Sequence, residues 1–280
     1  MKEIRYKSVC SDLDNTLLMP DKTLSPLTRE HLKKLIAQGV EIVPCTGRAF
    51  WSIPREVMEF PGIRYAIVSN GAAIYDIKKG EAIMSCCLRE DFAEELIHFL
   101  KEEGEYVTYE CFIKGQPYTS DSYYNDPADF GIPGERERNY VRSTRIPVAD
   151  IEEFTLQHAH ELDALDVILM PEERDRVSGK IRERFNGIYI TTSVDHLIEI
   201  SHEDSGKHRA MGRLMEYLEI PMEEVIAFGD GENDHEMLRA AGLGVAVANA
   251  SRICKDSADM VIGESQEEAV ALCLGEIFDV

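Results

Sequence analysis

The stretch Lys7–Leu18, Lys-Ser-Val-Cys-Ser-Asp-Leu-Asp-Asn-Thr-Leu-Leu, constrains what this chain can become more than any other. An apolar run delivers two carboxylates, Asp12 and Asp14, separated by Leu13, and then stops being a strand. Strand side chains alternate faces, so residues two apart share one side. Two like charges forced together at a strand end repel, and a fold that keeps them needs a compensating cation. Mg²⁺ suits that role, being a hard ion held by one or two carboxylates plus waters and phosphate oxygens. Taken alone, Asp-x-Asp also reads as a strand ending in an acidic turn. The remainder of the chain decides between these readings.

Ser25-Pro26 predicts a helix start, with Ser at the N-cap and Pro at the first helical position. Leu27, Leu32, Leu35 and Ile36 form its apolar face, and Gly39 ends it. Val40–Cys45 predicts a second strand, ending in Thr46-Gly47-Arg48, which offers a hydroxyl, free amides and a guanidinium. A further helix is predicted through Phe50, Trp51, Ile53 and Val57. A third strand, Tyr65–Ser69, ends in Asn70-Gly71. Strands alternating with helices predict a parallel, doubly wound sheet. In such sheets ligands bind outside the carboxyl ends of the strands. Asp12, Asp14, Thr46 and Asn70 all fall at ends of that kind.

Ala72–Met84 reads as a hairpin turning at Lys78-Lys79-Gly80. From about residue 85 to 188 the pattern changes. A helix is predicted over Phe92–Glu103, strands over Tyr106–Ile113 and Tyr118–Ser120, a helix over 151–160, a strand over Asp166–Met170, a helix over 172–185 and a strand over Ile188–Ser193. Residues 121–147 are polar and give no assignment. This block predicts a separate α+β domain. The α/β alternation then resumes with a strand Leu197–Ile200, and Ser205-Gly206-Lys207 opens a helix carrying Met211, Leu214, Met215 and Leu218. Val225–Phe228 predicts a buried strand ending in Gly229-Asp230-Gly231-Glu232-Asn233-Asp234, where two glycines bracket an acid. A helix through Met237 and Leu238, a strand Gly244–Val247, a short strand Met260–Ile262 and a helix Glu267–Phe278 complete the chain.

Bulk properties narrow the function. At 280 residues the chain predicts about two domains. No apolar run approaches the ~20 residues of a membrane-spanning helix. Met1–Lys7 alternates charged and apolar residues without the apolar block of a signal peptide, which predicts a cytoplasmic protein. The seven cysteines are scattered without a C-x-x-C pair, which argues against a disulfide framework or a zinc site. Small buried Cys is the common state, and Cys45 is read that way. The formal net charge of −22 repels nucleic-acid phosphates and anionic membranes, so neither is expected as a partner. It also requires that any anionic substrate meet a strongly positive local site. Arg136, Arg138, Arg142 and Arg145, interleaved with Glu135 and Glu137, read as a solvated charged face, with a grip on a second anionic group as the alternative.

In combination, Asp12-Leu13-Asp14-Asn15-Thr16-Leu17, Thr46-Gly47-Arg48, Ser69-Asn70-Gly71-Ala72, Lys207 and Gly229–Asp234 with Met237-Leu238 resemble the haloacid dehalogenase superfamily, and within it the Cof-type phosphatases with a type IIB cap. The resemblance implies a Rossmann-like catalytic core over 1–84 and 189–280, with the cap inserted at 85–188. It implies a Mg²⁺-dependent phosphatase of small phosphorylated metabolites, with sugar phosphates the leading class, working through an aspartyl-phosphate. A phosphotransferase or mutase on the same site, or a non-catalytic sensor, are the alternatives. Residue by residue, Asp12 would be the nucleophile. Asp14 would be the general acid and then base, its backbone carbonyl a metal ligand. Asp230 would complete the metal ligands, with Asp234 behind them. Lys207 would neutralise nucleophile and phosphate. Thr46, Gly47, Arg48, Asn70 and Asn233 would surround the phosphate and substrate. Two departures stand out: Asn15 where Gly is commoner, and Cys45 where Ala or Ser is usual. Asn also accepts left-handed turn geometry. The stretch His202–Gly206 before Lys207 is unusually acidic. Oligomeric state is left between monomer and small homo-oligomer.

Overall fold

The computed structural model describes residues 5–103, 107–132 and 134–280. Tyr106, at the start of one expected strand, and Met1–Ile4 lie outside that range. The chain divides into two compact units: Met1–Gly47, Ile53–Met84 and Gly206–Val280 form the first, Arg48–Ser52 and Ser85–Ser205 the second.

The first unit is built on a parallel sheet. Its strands are β1 (Ser8–Ser11), β2 (Glu41–Pro44), β3 (Tyr65–Val68), β4 (Ala73–Asp76) and β5 (Glu81–Ser85). The second unit supplies β6 (Thr108–Ile113), β7 (Gln116–Ser120), β8 (Ile146–Val148), β9 (Leu162–Ile168), β10 (Ile188–Thr191) and β11 (Leu197–His202). The chain returns to the first for β12 (Val225–Gly229), β13 (Leu243–Ala246) and β14 (Met260–Val261). The five-stranded order is β14-β13-β12-β1-β2, with β1 parallel to both β12 and β2. A parallel bridge from Cys45 to Ile67 continues it toward β3, which heads the antiparallel β3-β4-β5 sheet. β1, β2 and β12 are buried along their whole length, as strands covered on both faces must be. The helix Pro26–Ala37 starts as its sequence dictates: the Ser25 side chain accepts from Thr28 N–H, and Pro26 follows.

Three expectations are corrected. The helix expected through Phe50–Val57 is split into a short turn, Phe50–Ser52, and a helix Arg55–Met58. Pro54 is the reason, since proline lacks the N–H of an interior helical position and biases Ile53 away from helical angles. The strand at Leu197–Ile200 does not resume the parallel core. It belongs to β11, antiparallel to β9 and β10, in the second unit's sheet, ordered β10-β11-β9-β6-β7-β8. That pairing places Ile198 and Ile200 in one apolar cluster with Leu165 and Val167. The change of unit therefore falls at Ser205/Gly206 rather than 188/189. β9 also begins at Leu162, four residues before Asp166, and carries the acids Asp163 and Asp166 buried within it.

The unassigned stretch 121–147 holds the helix Asp121–Asn125, capped by Ser120, the helix Glu135–Thr144 and β8. Arg145 is not on a solvated face. Its guanidinium binds Glu110 through Nε at 2.8 and 2.9 Å, and only 11% of its side chain is exposed. All seven cysteines are free thiols. Among the described residues, no helix is long and apolar enough to cross a membrane.

Candidate active site

At the carboxyl end of β1 the backbone makes one more sheet contact, Asp12 N–H to the Phe228 carbonyl at 2.9 Å, and then leaves the sheet. Leu13–Leu17 forms a single wide turn closed by Leu18 N–H on the Leu13 carbonyl. Asn15 takes φ 59°, ψ 10° within it. That left-handed conformation is open to Asn at modest cost, which is how it stands in for glycine. Asp12 comes to rest buried, while Asp14 ion-pairs with Lys22 at 2.6 Å.

Lys207 opens the helix Lys207–Tyr217 and is completely buried. Its ammonium lies 2.7 Å from Asp12 Oδ1 and 2.6 Å from Asp234 Oδ1. The acidic approach before it does not hold it away. Backbone docking fixes this placement. Gly206 N–H donates to the Asn70 carbonyl at 2.8 Å. Gly71 sits at φ 88°, where a Cβ would stand 2.3 Å from the Gly206 carbonyl oxygen. Two loops thus meet main chain to main chain, and one side chain between them would push Lys207 out.

The loop after β12 has the same economy. Asp234 uses Oδ1 for Lys207 and Oδ2 for the N–H groups of Asp230 and Gly231, at 3.0 and 2.9 Å. A Cβ on Gly229 would meet the Asp234 Cβ at 2.4 Å, so the acid can fold back over its own loop only past a glycine. Asp230 is fixed from the other side by Thr16 Oγ1, which donates to its Oδ1 at 2.8 Å. Asn233 donates its amide to Asn70 Oδ1 at 2.9 Å, and Asn70 N–H donates to the Thr46 carbonyl at 3.1 Å. Thr46, Asn70 and Asn233 are all buried.

Carboxylate oxygens of Asp12, Asp230 and Asp234 lie within 4.8 Å of one another. One ammonium faces three acids there. Burial, then the neighbouring Asp234, Asp230 and Asp14, push the Asp12 carboxyl well above its usual range against the pull of Lys207. Burial first, and Asp234 next, raise Asp230 to about 7. Burial alone would lower Lys207, but Asp12 and Asp234 outweigh it and hold the ammonium charged. The donor set is all oxygen and carries excess negative charge, which fits a hard divalent cation. Within it Asp234 already has both oxygens engaged, so Asp12 and Asp230 are the carboxylates better placed to ligate.

Residues 9–274 match the family model of the haloacid dehalogenase-like hydrolases. The chain belongs to that family. Among its relatives is the phosphatase YwpJ of Bacillus subtilis, 29% identical over 282 residues that cover 95% of this chain and 97% of that one. A solved haloacid dehalogenase-like hydrolase from B. subtilis superposes with a TM-score of 0.80 at 26% identity, over 96% of this chain and 98% of that one. A sugar phosphatase of haloacid dehalogenase subclass IIB shares the fold at TM-score 0.80 and 20% identity, over 98% and 100% of the two chains.

In this hydrolase the first unit gathers Asp12, Asp14, Thr46, Gly47, Asn70, Lys207, Asp230, Asn233 and Asp234. Arg48 is not among them. It is part of the second unit, donates to the Ser52 carbonyl at 2.8 Å and lies over the Tyr140 ring at 4.6 Å. Cys45 is buried, and burial pushes its thiol well up, so it stays protonated and unreactive. Two contributors escape a reading of the sequence: Thr16 on Asp230, and Lys22 on Asp14. Thr16 lies in the turn that follows Asp12, where strand alternation no longer applies, so its spacing gives no signal. Lys22 gives no signal, because its partner lies across a turn.

Proposed function

We propose that this hydrolase is a phosphoric monoester hydrolase, a magnesium-dependent phosphatase of small phosphorylated metabolites that works through a covalent aspartyl-phosphate. The observation that carries this reading is the Lys207 ammonium held between Asp12 and Asp234, with Asp230 in the same cluster. A phosphate monoester brings nearly two negative charges toward a carboxylate nucleophile. Such an approach succeeds only where positive charge is fixed in advance. Asp12 and Asp230, with the Asp14 backbone carbonyl, would hold Mg²⁺, which supplies two positive charges beside the nucleophile and the phosphoryl oxygens.

The chain's own residues account for each bond. The Asp12 carboxylate attacks phosphorus and forms the acyl-phosphate bond as the ester P–O bond breaks. Asp14 gives its proton to the departing alkoxide, then takes one from the water that attacks phosphorus. Phosphate leaves, and the Asp12 carboxylate is restored. Lys207 favours the ionised form of Asp12, against the burial that raises its carboxyl, and offsets charge on the phosphoryl oxygens. The Thr46 hydroxyl and the following amide of Gly47 donate to those oxygens, with Asn70 and Asn233 alongside. Asp234 holds Lys207 and the Asp230 loop rather than the ion. Arg48, carried by the second unit, is assigned to the substrate's remainder. Sugar phosphates lead as substrates, since a structural neighbour is a sugar phosphatase.

The test is hydrolysis of p-nitrophenyl phosphate with Mg²⁺, with EDTA, and in Asp12→Asn. Activity should require the metal and fall by about 10³-fold or more in the variant, the scale of a lost transition-state contact. Activity unchanged by either would overturn the proposal. On a panel of phosphorylated metabolites the product should be free phosphate; an isomerised phosphate ester would make the enzyme a mutase.

A further inference from the structure

The segment Arg48–Ser52 interrupts the first unit in sequence but packs with the second. Ala49 is buried with Phe112 of β6 and Ala164 of β9. Trp51 N–H donates to the Gly115 carbonyl at 3.0 Å. Gly115 belongs to the two-residue turn Lys114-Gly115 that joins β6 to β7, with φ 51° and 74°. Positive φ at both positions suits a tight hairpin turn, though lysine adopts it at a cost.

Asp163 holds that turn. Gly115 N–H donates to its Oδ2 at 2.7 Å, so one glycine links Asp163 on one side to Trp51 on the other. The pairing of β9 is irregular at this point. Ile113 opposes Leu162 and Phe112 opposes Ala164, which leaves Asp163 as an extra residue without a partner on β6. Such bulges take a side chain out of the regular alternation and re-aim it.

A buried aspartate is a costly acceptor for a single amide, since asparagine offers the same acceptor without the charge. Asp163 is 4% exposed. Lys114, from the turn, and Glu161, just before β9, bear on it, and it bears in turn on the half-buried thiol of Cys87. The Lys114 ammonium is itself paired with Glu161, which also bonds His158 at 2.8 Å and feels His160. Burial pushes the Asp163 carboxyl up to about 6, with Glu161 and against Gly115 N–H and Lys114, so it is ionised at neutral pH.

We propose that Asp163 is a positioning residue for substrate binding, its carboxylate fixing the Arg48–Ser52 segment through Gly115 and so aiming the Arg48 guanidinium. This rests on the assignment of Arg48 to the substrate's remainder. The guanidinium lies over the Tyr140 ring at 4.6 Å and donates to the Ser52 carbonyl at 2.8 Å, so its direction follows that of the segment. A charged acceptor holds an N–H roughly twice as strongly as a neutral one. That gives the charge a use that stability alone does not.

Trp51 is the chain's single tryptophan and 56% exposed, so its emission reports on the segment directly. In the full chain, emission should change between pH 5 and 7.5 with a midpoint near 6, and this transition should be absent from Asp163→Asn. With p-nitrophenyl phosphate and Mg²⁺ at pH 7.5, the variant should show a KM several-fold higher, its kcat within about twofold of the parent, and a higher melting temperature. At pH 5, where the protonated acid resembles asparagine, the two KM values should converge; ionisation of the substrate cancels in the comparison. Better stability with weaker binding is not what a merely structural acid would give. No emission transition in the parent, the same transition in the variant, equal KM at pH 7.5, a KM difference that persists at pH 5, or a variant that melts lower would each overturn the proposal. Emission needs no turnover, so a parent that fails to hydrolyse the ester would count against the phosphatase reading while emission still decides whether Asp163 holds the segment.

Discussion

Lys207 shows what a single residue can organise. Its ammonium is completely buried and satisfied by two carboxylates, while a third lies in the same cluster. Lys207→Met should abolish turnover of p-nitrophenyl phosphate. It should also destabilise the fold by about 3–5 kcal/mol, the usual result of removing one partner from a buried ion cluster. Urea unfolding of the variant measures this. Asp163 makes a second residue-scale case. Burial, the larger cause, raises its carboxyl to about 6, although Gly115 N–H donates to it at 2.7 Å. An acid whose folded value lies above its unfolded value binds protons more tightly when folded. Its contribution therefore falls as pH rises from about 4 to 6 and stays low above that. Asp163→Asn keeps an acceptor for Gly115 and removes the charge. It should stabilise the protein at pH 7.5 by up to about 3 kcal/mol, two units at 1.36 kcal/mol each, and by little at pH 4. Denaturant curves at the two pH values check the sign. Residue-scale legibility follows the range of the contact. Asp12, Asp14 and Asp230 are visible because strand ends present them. The Arg145–Glu110 pair is not, because its partners are 35 residues apart and nothing local in either announces the other.

Among elements, the decisive ones are loops docked by their main chains. Gly71→Ala would need its Cβ at 2.3 Å from the Gly206 carbonyl and a left-handed backbone as well. It should cost about 2 kcal/mol or more and remove most activity, because the start of the Lys207 helix must shift. Thermal melts and initial rates on one preparation test both effects. The parallel core was legible because apolar strands buried on both faces read as continuous runs with chemistry at their ends. The sheet that β11 joins is not legible, since Leu-Ile-Glu-Ile suits a parallel or an antiparallel neighbour equally and only the pairing with β9 decides. The helix Glu135–Thr144 was invisible for a different reason. Val141 alone in it is buried, so it has no apolar stripe to detect.

For the whole molecule, the net charge of −22 opposes any anionic substrate at a distance, whatever the local pocket offers. Screening should weaken that repulsion. At fixed free Mg²⁺, kcat/KM for a phosphate ester should rise a few-fold as KCl increases from about 10 to 150 mM, over which the Debye length falls from about 30 to 8 Å. A rate falling with salt would mean that local attraction governs encounter instead. The division into units also carries a lesson for anyone who would trim the protein. The backbone passes from one unit to the other four times, at Gly47/Arg48, Ser52/Ile53, Met84/Ser85 and Ser205/Gly206. Excising 85–205 would strip Ala49 of Phe112 and Ala164, and Trp51 N–H of the Gly115 carbonyl. The remnant would keep the loop two residues beyond Thr46 stripped of its packing and opened to water.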